Sequence, residues 1–133
     1  MCFYVDSKYP NKQIAKRDII CYKVLWNDYK SAFHFKLYKL NKLYKVRIEK
    51  PYFCNDTYLI DRGFHSYSSL KKAVRERVYT VNLADYSSGY SKKFALKEFV
   101  IVKCMIPKDS KYYYNSKEKE YVSNQIVIKE RIK

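Results

Sequence analysis

Only two glycines and three prolines occur in the 133 residues. That scarcity excludes a glycine-rich phosphate cradle and a flexible linker, and it leaves the loops stiff. Acidic residues are also short: 13 Asp and Glu stand against 28 Lys and Arg, a formal net charge of +15. The two histidines are His34 and His65, and the four cysteines, Cys2, Cys21, Cys54 and Cys104, contain no C-x-x-C pair. Such a set is too sparse for a zinc site, so no metal and no cofactor is expected. No run approaches the ~20 apolar residues of a membrane-spanning helix. The N-terminus lacks the basic-then-apolar pattern of a signal peptide, which points to reduced thiols in a cytoplasmic protein with no membrane partner.

What is present is basic and aromatic. Lys outnumbers Arg 22 to 6, and 16 tyrosines and seven phenylalanines accompany them. An AT-rich genome favours Lys and Tyr codons, but it does not explain the shortage of acids. A net charge of magnitude ~2–8 suffices for solubility in a small domain. An excess well beyond that repels itself unless a polyanion or an acidic surface relieves it. The charge is spread evenly: residues 1–66 carry 13 basic and six acidic side chains, and residues 67–133 carry 15 and seven. The folded surface itself must therefore be basic.

The length suits one domain. Residues 1–18 read as an irregular basic arm and residues 19–133 as a single α+β domain. Residues 19–26, IICYKVLW, are a continuous β-branched and aromatic run expected to be a buried strand. Residues 33–38 and 43–49 suggest a hairpin turning near Asn41, and 57–60 a short strand. Ser68 to Leu83 is the best helix, with Leu70, Ala73 and Val74 on an apolar stripe and Ser68 as N-cap. Residues 84–95 read as a polar loop, 97–106 as a strong strand, 107–120 as a Lys/Tyr loop and 121–130 as a last strand. The expected architecture is a mostly antiparallel sheet of five to seven strands with one main helix over about 68–83.

Two basic stretches are candidate binding surfaces. Lys71, Lys72, Arg75 and Arg77 would share the outer helix face, opposed by Glu76 alone, as a ridge for phosphates or as an ordinary solvated face. In the loop, Lys108 and Lys111 adjoin Tyr112, Tyr113 and Tyr114. Tyr rings stack on unpaired bases while Lys holds the backbone, and the same residues also suit a protein–protein hot spot. Cysteine catalysis and paired catalytic carboxylates have no support in the spacing.

The stretches YKVL, GFHSYSSLKKA, VKCMIPKDSKYYYN and YVSNQIVIK together resemble a family of small phage and bacterial proteins. Their order of an opening strand, a Gly-Phe-His turn into a helix, and closing strands is also similar to that of ADP-ribosyltransferase domains. That resemblance implies an Arg or His on the first strand, a Ser/Tyr element before the helix and a late-strand Glu, which together bind and attack NAD. Here the first position falls on Lys23 or Tyr22, the middle element on Ser66, Tyr67 and Ser68 beside His65, and the late position on Gln125. An amide carries no charge to stabilise an oxocarbenium ion. The set Lys23, His65, Tyr67 and Gln125 therefore reads as a vestigial site.

The expectation is a non-enzymatic basic binding protein. Its partner is nucleic acid, RNA before DNA, and/or a bacterial nucleic-acid-binding effector. The phage resemblance implies an inhibitor of host defence of the anti-CRISPR type, acting in the cytoplasm of a bacterial host cell. The alternatives are a free-standing RNA- or DNA-binding protein and a divergent ADP-ribosyltransferase-like enzyme.

Overall fold

A computed structural model of the chain describes residues 3–30, 36–78 and 99–132. Among the described residues it is mostly β, with eleven strands and a short helix, rather than the expected α+β domain with one sheet of five to seven strands. The strands are β1 (Phe3–Tyr4), β2 (Gln13–Ile14), β3 (Ile19–Trp26), β4 (Leu43–Lys45), β5 (Tyr52–Cys54) and β6 (Thr57–Ile60). They continue with β7 (Phe64–Tyr67), β8 (Phe99–Ile106), β9 (Lys111–Asn115), β10 (Glu120–Ser123) and β11 (Gln125–Arg131). All pair antiparallel, in a three-stranded sheet ordered β1-β6-β5 and an eight-stranded sheet ordered β2-β9-β10-β7-β3-β8-β11-β4.

The extra strands come from segments too short or too polar to show a period. The N-terminal segment contributes β1 and β2. The Lys/Tyr stretch expected as a loop is the hairpin β9–β10, closed through 116–119, with Lys119 at φ 52° and Asn115 Oδ1 accepting from the Glu118 amide at 2.8 Å. Leu43–Lys45 pairs with β11 instead of turning back at Asn41. Within the described residues the helix α1 covers 70–78, capped by Ser69, whose Oγ accepts from the Lys72 amide at 3.1 Å. Residues 33–35 of the expected hairpin, residues 79–83 of the expected helix, the expected loop 84–95 and the first two residues of the expected strand 97–106 lie outside the described residues.

Asn124 alone separates β10 from β11, yet β7, β3 and β8 lie between them in the sheet. The sheet must therefore curl back on itself. Its flanks meet at Asn124, whose carbonyl accepts from the Val46 amide at 2.8 Å, while its amide donates to the Lys111 carbonyl at 3.0 Å. The concave side holds the main core of Cys21, Leu25, Phe64, Val100, Val102, Cys104, Ile106, Ile126 and Ile128, closed over by Tyr38 and Tyr44. Outside, α1 lays Leu70 and Ala73 on Tyr22, Val24, Tyr67 and Ile101. The small sheet covers Tyr113 and Val122 with Phe3 and Ile60.

Gly63 enters β7 at φ 146°, where a Cβ would stand 2.3 Å from Val122 Cγ2. That is a close approach only glycine permits. Among the described residues no helix is long and apolar enough to cross a membrane.

Candidate nucleic-acid interface

The helix ridge is not uniformly free. Lys71 and Arg75 are exposed and Arg77 is half-buried, but Lys72 turns inward. Its ammonium lies 2.9 Å from Glu76 and 3.5 Å from Glu118. Partial burial pulls the Lys72 pKa down, but the two carboxylates outweigh it and hold it above the ordinary value. Lys72 is thus spent inside the protein, because β9–β10 brings Glu118 to the helix from 46 residues away. Beside this group lies Glu120, half-buried next to Tyr67. Burial first, and the neighbouring Glu76 and Glu118 carboxylates after it, push its carboxyl up to about 7 against the pull of Lys72.

The Lys/Tyr stretch divides by strand alternation. Tyr113 faces the small sheet and is buried. Tyr112 and Tyr114 face the other way and, with Tyr9 and Tyr121, form a row of four rings. Successive centroids are 6.2 Å apart from Tyr9 to Tyr114, 4.9 Å from Tyr114 to Tyr121 and 5.8 Å from Tyr121 to Tyr112. The Tyr112 hydroxyl donates to Gln13 Oε1 at 3.1 Å, and burial pushes Tyr121 up to about 12. Lys8, Lys12, Lys16, Lys108, Lys111, Lys117 and Lys119, all close by in sequence, are exposed. Lys108 is positioned by its amide, which donates to Asp18 Oδ1 at 2.8 Å. The row needs Tyr9 and Tyr121, which sequence reading did not gather; the pairing of β9 with β10 aligns Tyr121, and Tyr9 reaches Tyr114 from the segment between β1 and β2.

A second aromatic group lies at the mouth of the concave side. The Lys36 ammonium sits 4.9 Å from the Phe64 ring centroid, 5.2 Å from Tyr44 and 5.8 Å from Tyr38, and Lys42 sits 5.3 Å from Tyr44. Nothing in the linear spacing foretells this group, because the rings come from three separate segments.

The vestigial set is not collected on one surface. Lys23 points into the concave core, donates to the His65 carbonyl and lies 5.7 Å from the Tyr38 ring. Burial pulls its pKa down, with the Cys104 and Cys21 thiols acting against that. Tyr67 is in register with Tyr22 and so faces the opposite side of the sheet, near Glu76 and Glu120, and burial raises its hydroxyl. His65 Nε2 is 3.2 Å from the Asp61 carbonyl. Gln125 opens β11 opposite Lys45, with β8 between its strand and that of Lys23. Carboxylates therefore stand beside Tyr67, while Lys23 faces away from them.

Cys21, Cys54 and Cys104 are free thiols, and among the described residues no group of His, Cys, Asp and Glu is arranged to hold a metal. The chain matches no protein-family model, and comparison with curated proteins and with solved structures finds no match.

Proposed function

We propose that this chain is a non-enzymatic binding protein for single-stranded nucleic acid, RNA first, with the Tyr9–Tyr114–Tyr121–Tyr112 row as its stacking surface. The row is the observation that carries the reading. Three rings lie along the β9–β10 pair and Tyr9, from the segment between β1 and β2, extends them to four, in a protein of net charge +15 whose exposed lysines occupy the neighbouring sequence. Aromatic rings take bases of any sequence, and lysines neutralise phosphates, so affinity falls with salt. The separation of Lys23 from Tyr67 and its carboxylates, together with an amide at Gln125, speaks against NAD chemistry.

Fluorescence anisotropy with a labelled 16-nucleotide RNA tests this. Tyr112→Ala and Tyr114→Ala each weaken binding by roughly 5- to 150-fold, the equivalent of one stacked base. Unchanged affinity in both variants refutes the row as the surface.

A narrower version makes the RNA the guide of a host-defence effector and the chain a phage-encoded inhibitor. It is supported by the resemblance to small phage proteins alone. Pull-down from cells expressing effector and guide decides it: recovery of neither ends this version and leaves free RNA binding standing.

A further inference from the structure

The hairpin of β5 and β6 closes through a two-residue turn in which both residues have positive φ, Asn55 at 49° and Asp56 at 63°. This is the type I′ arrangement, which matches the twist of the flanking strands and holds a hairpin in one shape. Register assigns its faces. Phe53 lies opposite Tyr58, and Tyr58 shares a face with Ile60. Ile60 is fully buried against the main sheet, yet on the same face Tyr58 is 53% exposed and Phe53 62%. The root of the hairpin packs while its tip carries two rings into solvent. Those rings meet at 60° with centroids 5.3 Å apart. On the reverse face Tyr4 and Tyr52, 52% and 39% exposed, flank Leu59 across the three strands. Aromatics stabilise a fold by burial, which these largely forgo.

We infer that this tip is a second contact for single-stranded nucleic acid, with Phe53 and Tyr58 stacking on unpaired bases; the inference rests on the binding reading above. Around the hairpin Arg47, Lys50 and Arg62 are balanced by Glu49, Asp56 and Asp61, with Arg62 Nε 3.8 Å from Glu49. The tip therefore supplies rings and the body supplies charge. The net charge of +15 is carried outside this balanced hairpin, so the occupant is a polyanion long enough to span the basic surface and reach the tip with its bases. The small sheet and the tyrosine row lie on opposite faces of β9–β10, so the two contacts are separate and their losses should add.

Binding of a 16-nucleotide RNA and of its duplex, each at several KCl concentrations, tests the tip with the full-length Phe53→Ala/Tyr58→Ala variant. Single-strand affinity falls roughly 5- to 150-fold per base lost. The log–log salt slope stays as it was, because no charge is removed, and duplex affinity is unchanged. Phe53→Tyr with Tyr58→Phe keeps the native affinity. Nitration by tetranitromethane gives a readout on the native chain itself, with bound RNA protecting Tyr58. Unchanged single-strand affinity, an equal loss on duplex, or no protection of Tyr58 overturns the inference while native binding persists. Failure of the native chain to bind RNA at 50 mM KCl instead removes the binding reading itself, and the tip's role with it.

Discussion

Glu120→Gln removes a carboxyl that the fold holds at about 7, against 4.5 for an ordinary Glu. Burial at the β10 end beside Tyr67 is the main cause, and the Glu76 and Glu118 carboxylates add to it while Lys72 opposes them. The folded chain thus keeps a proton that the unfolded chain gives up between pH ~4.5 and ~7. Stability from this group is whole below pH 4.5 and is lost as pH rises through 7. The difference between the two values is worth about 3 kcal/mol at 1.36 kcal/mol per pH unit. The side chain keeps some contact with water, so screening leaves ~1–2 kcal/mol. The amide has the same shape and does not titrate. Urea unfolding of both proteins at pH 4 and pH 8 should give equal stabilities at the lower pH and a variant more stable by ~1–2 kcal/mol at the higher. Equal stabilities at both values, or a variant less stable at pH 8, refute the reasoning.

Gly63→Ala should destabilise by roughly 2–5 kcal/mol, because the added Cβ meets the fully buried Val122 and φ is unsuitable, and the urea midpoint reads it. Lys72→Ala leaves Glu76 and Glu118 facing one another and costs about 1 kcal/mol in thermal unfolding without altering the salt dependence of RNA binding, whereas Lys71→Ala with Arg75→Ala shallows the log–log slope by about 1.4. Lys23→Met relieves a buried ammonium: a depressed folded-state pKa penalises folding at neutral pH, and the penalty fades as pH rises toward 10.5, so the variant's higher thermal midpoint at pH 7 converges on the native one by pH 10.

The long apolar runs were legible. IICYKVLW spans β3 residue for residue, and FVIVKCMI is β8, because continuous β-branched residues suit a strand covered on both faces. The stretch 121–130 read as one strand, but it divides at Asn124, since the curl of the sheet depends on partners far away in sequence. β1 and β2 are two residues each, too short for any period to register. The tyrosine triplet was visible as composition, yet the inward turn of Tyr113 is a matter of register on β9. The withdrawal of Lys72 depends on Glu118, and the ring group around Lys36 on three separated segments. Contacts of that kind leave no trace in local pattern.

The affinity of the native chain for a single-stranded RNA between 50 and 300 mM KCl tests the central claim most directly. A polyanion-binding surface gives a linear log–log fall with a slope of at least about −2, equivalent to three or more neutralised phosphates. Affinity independent of salt, or no binding at 50 mM, contradicts the account.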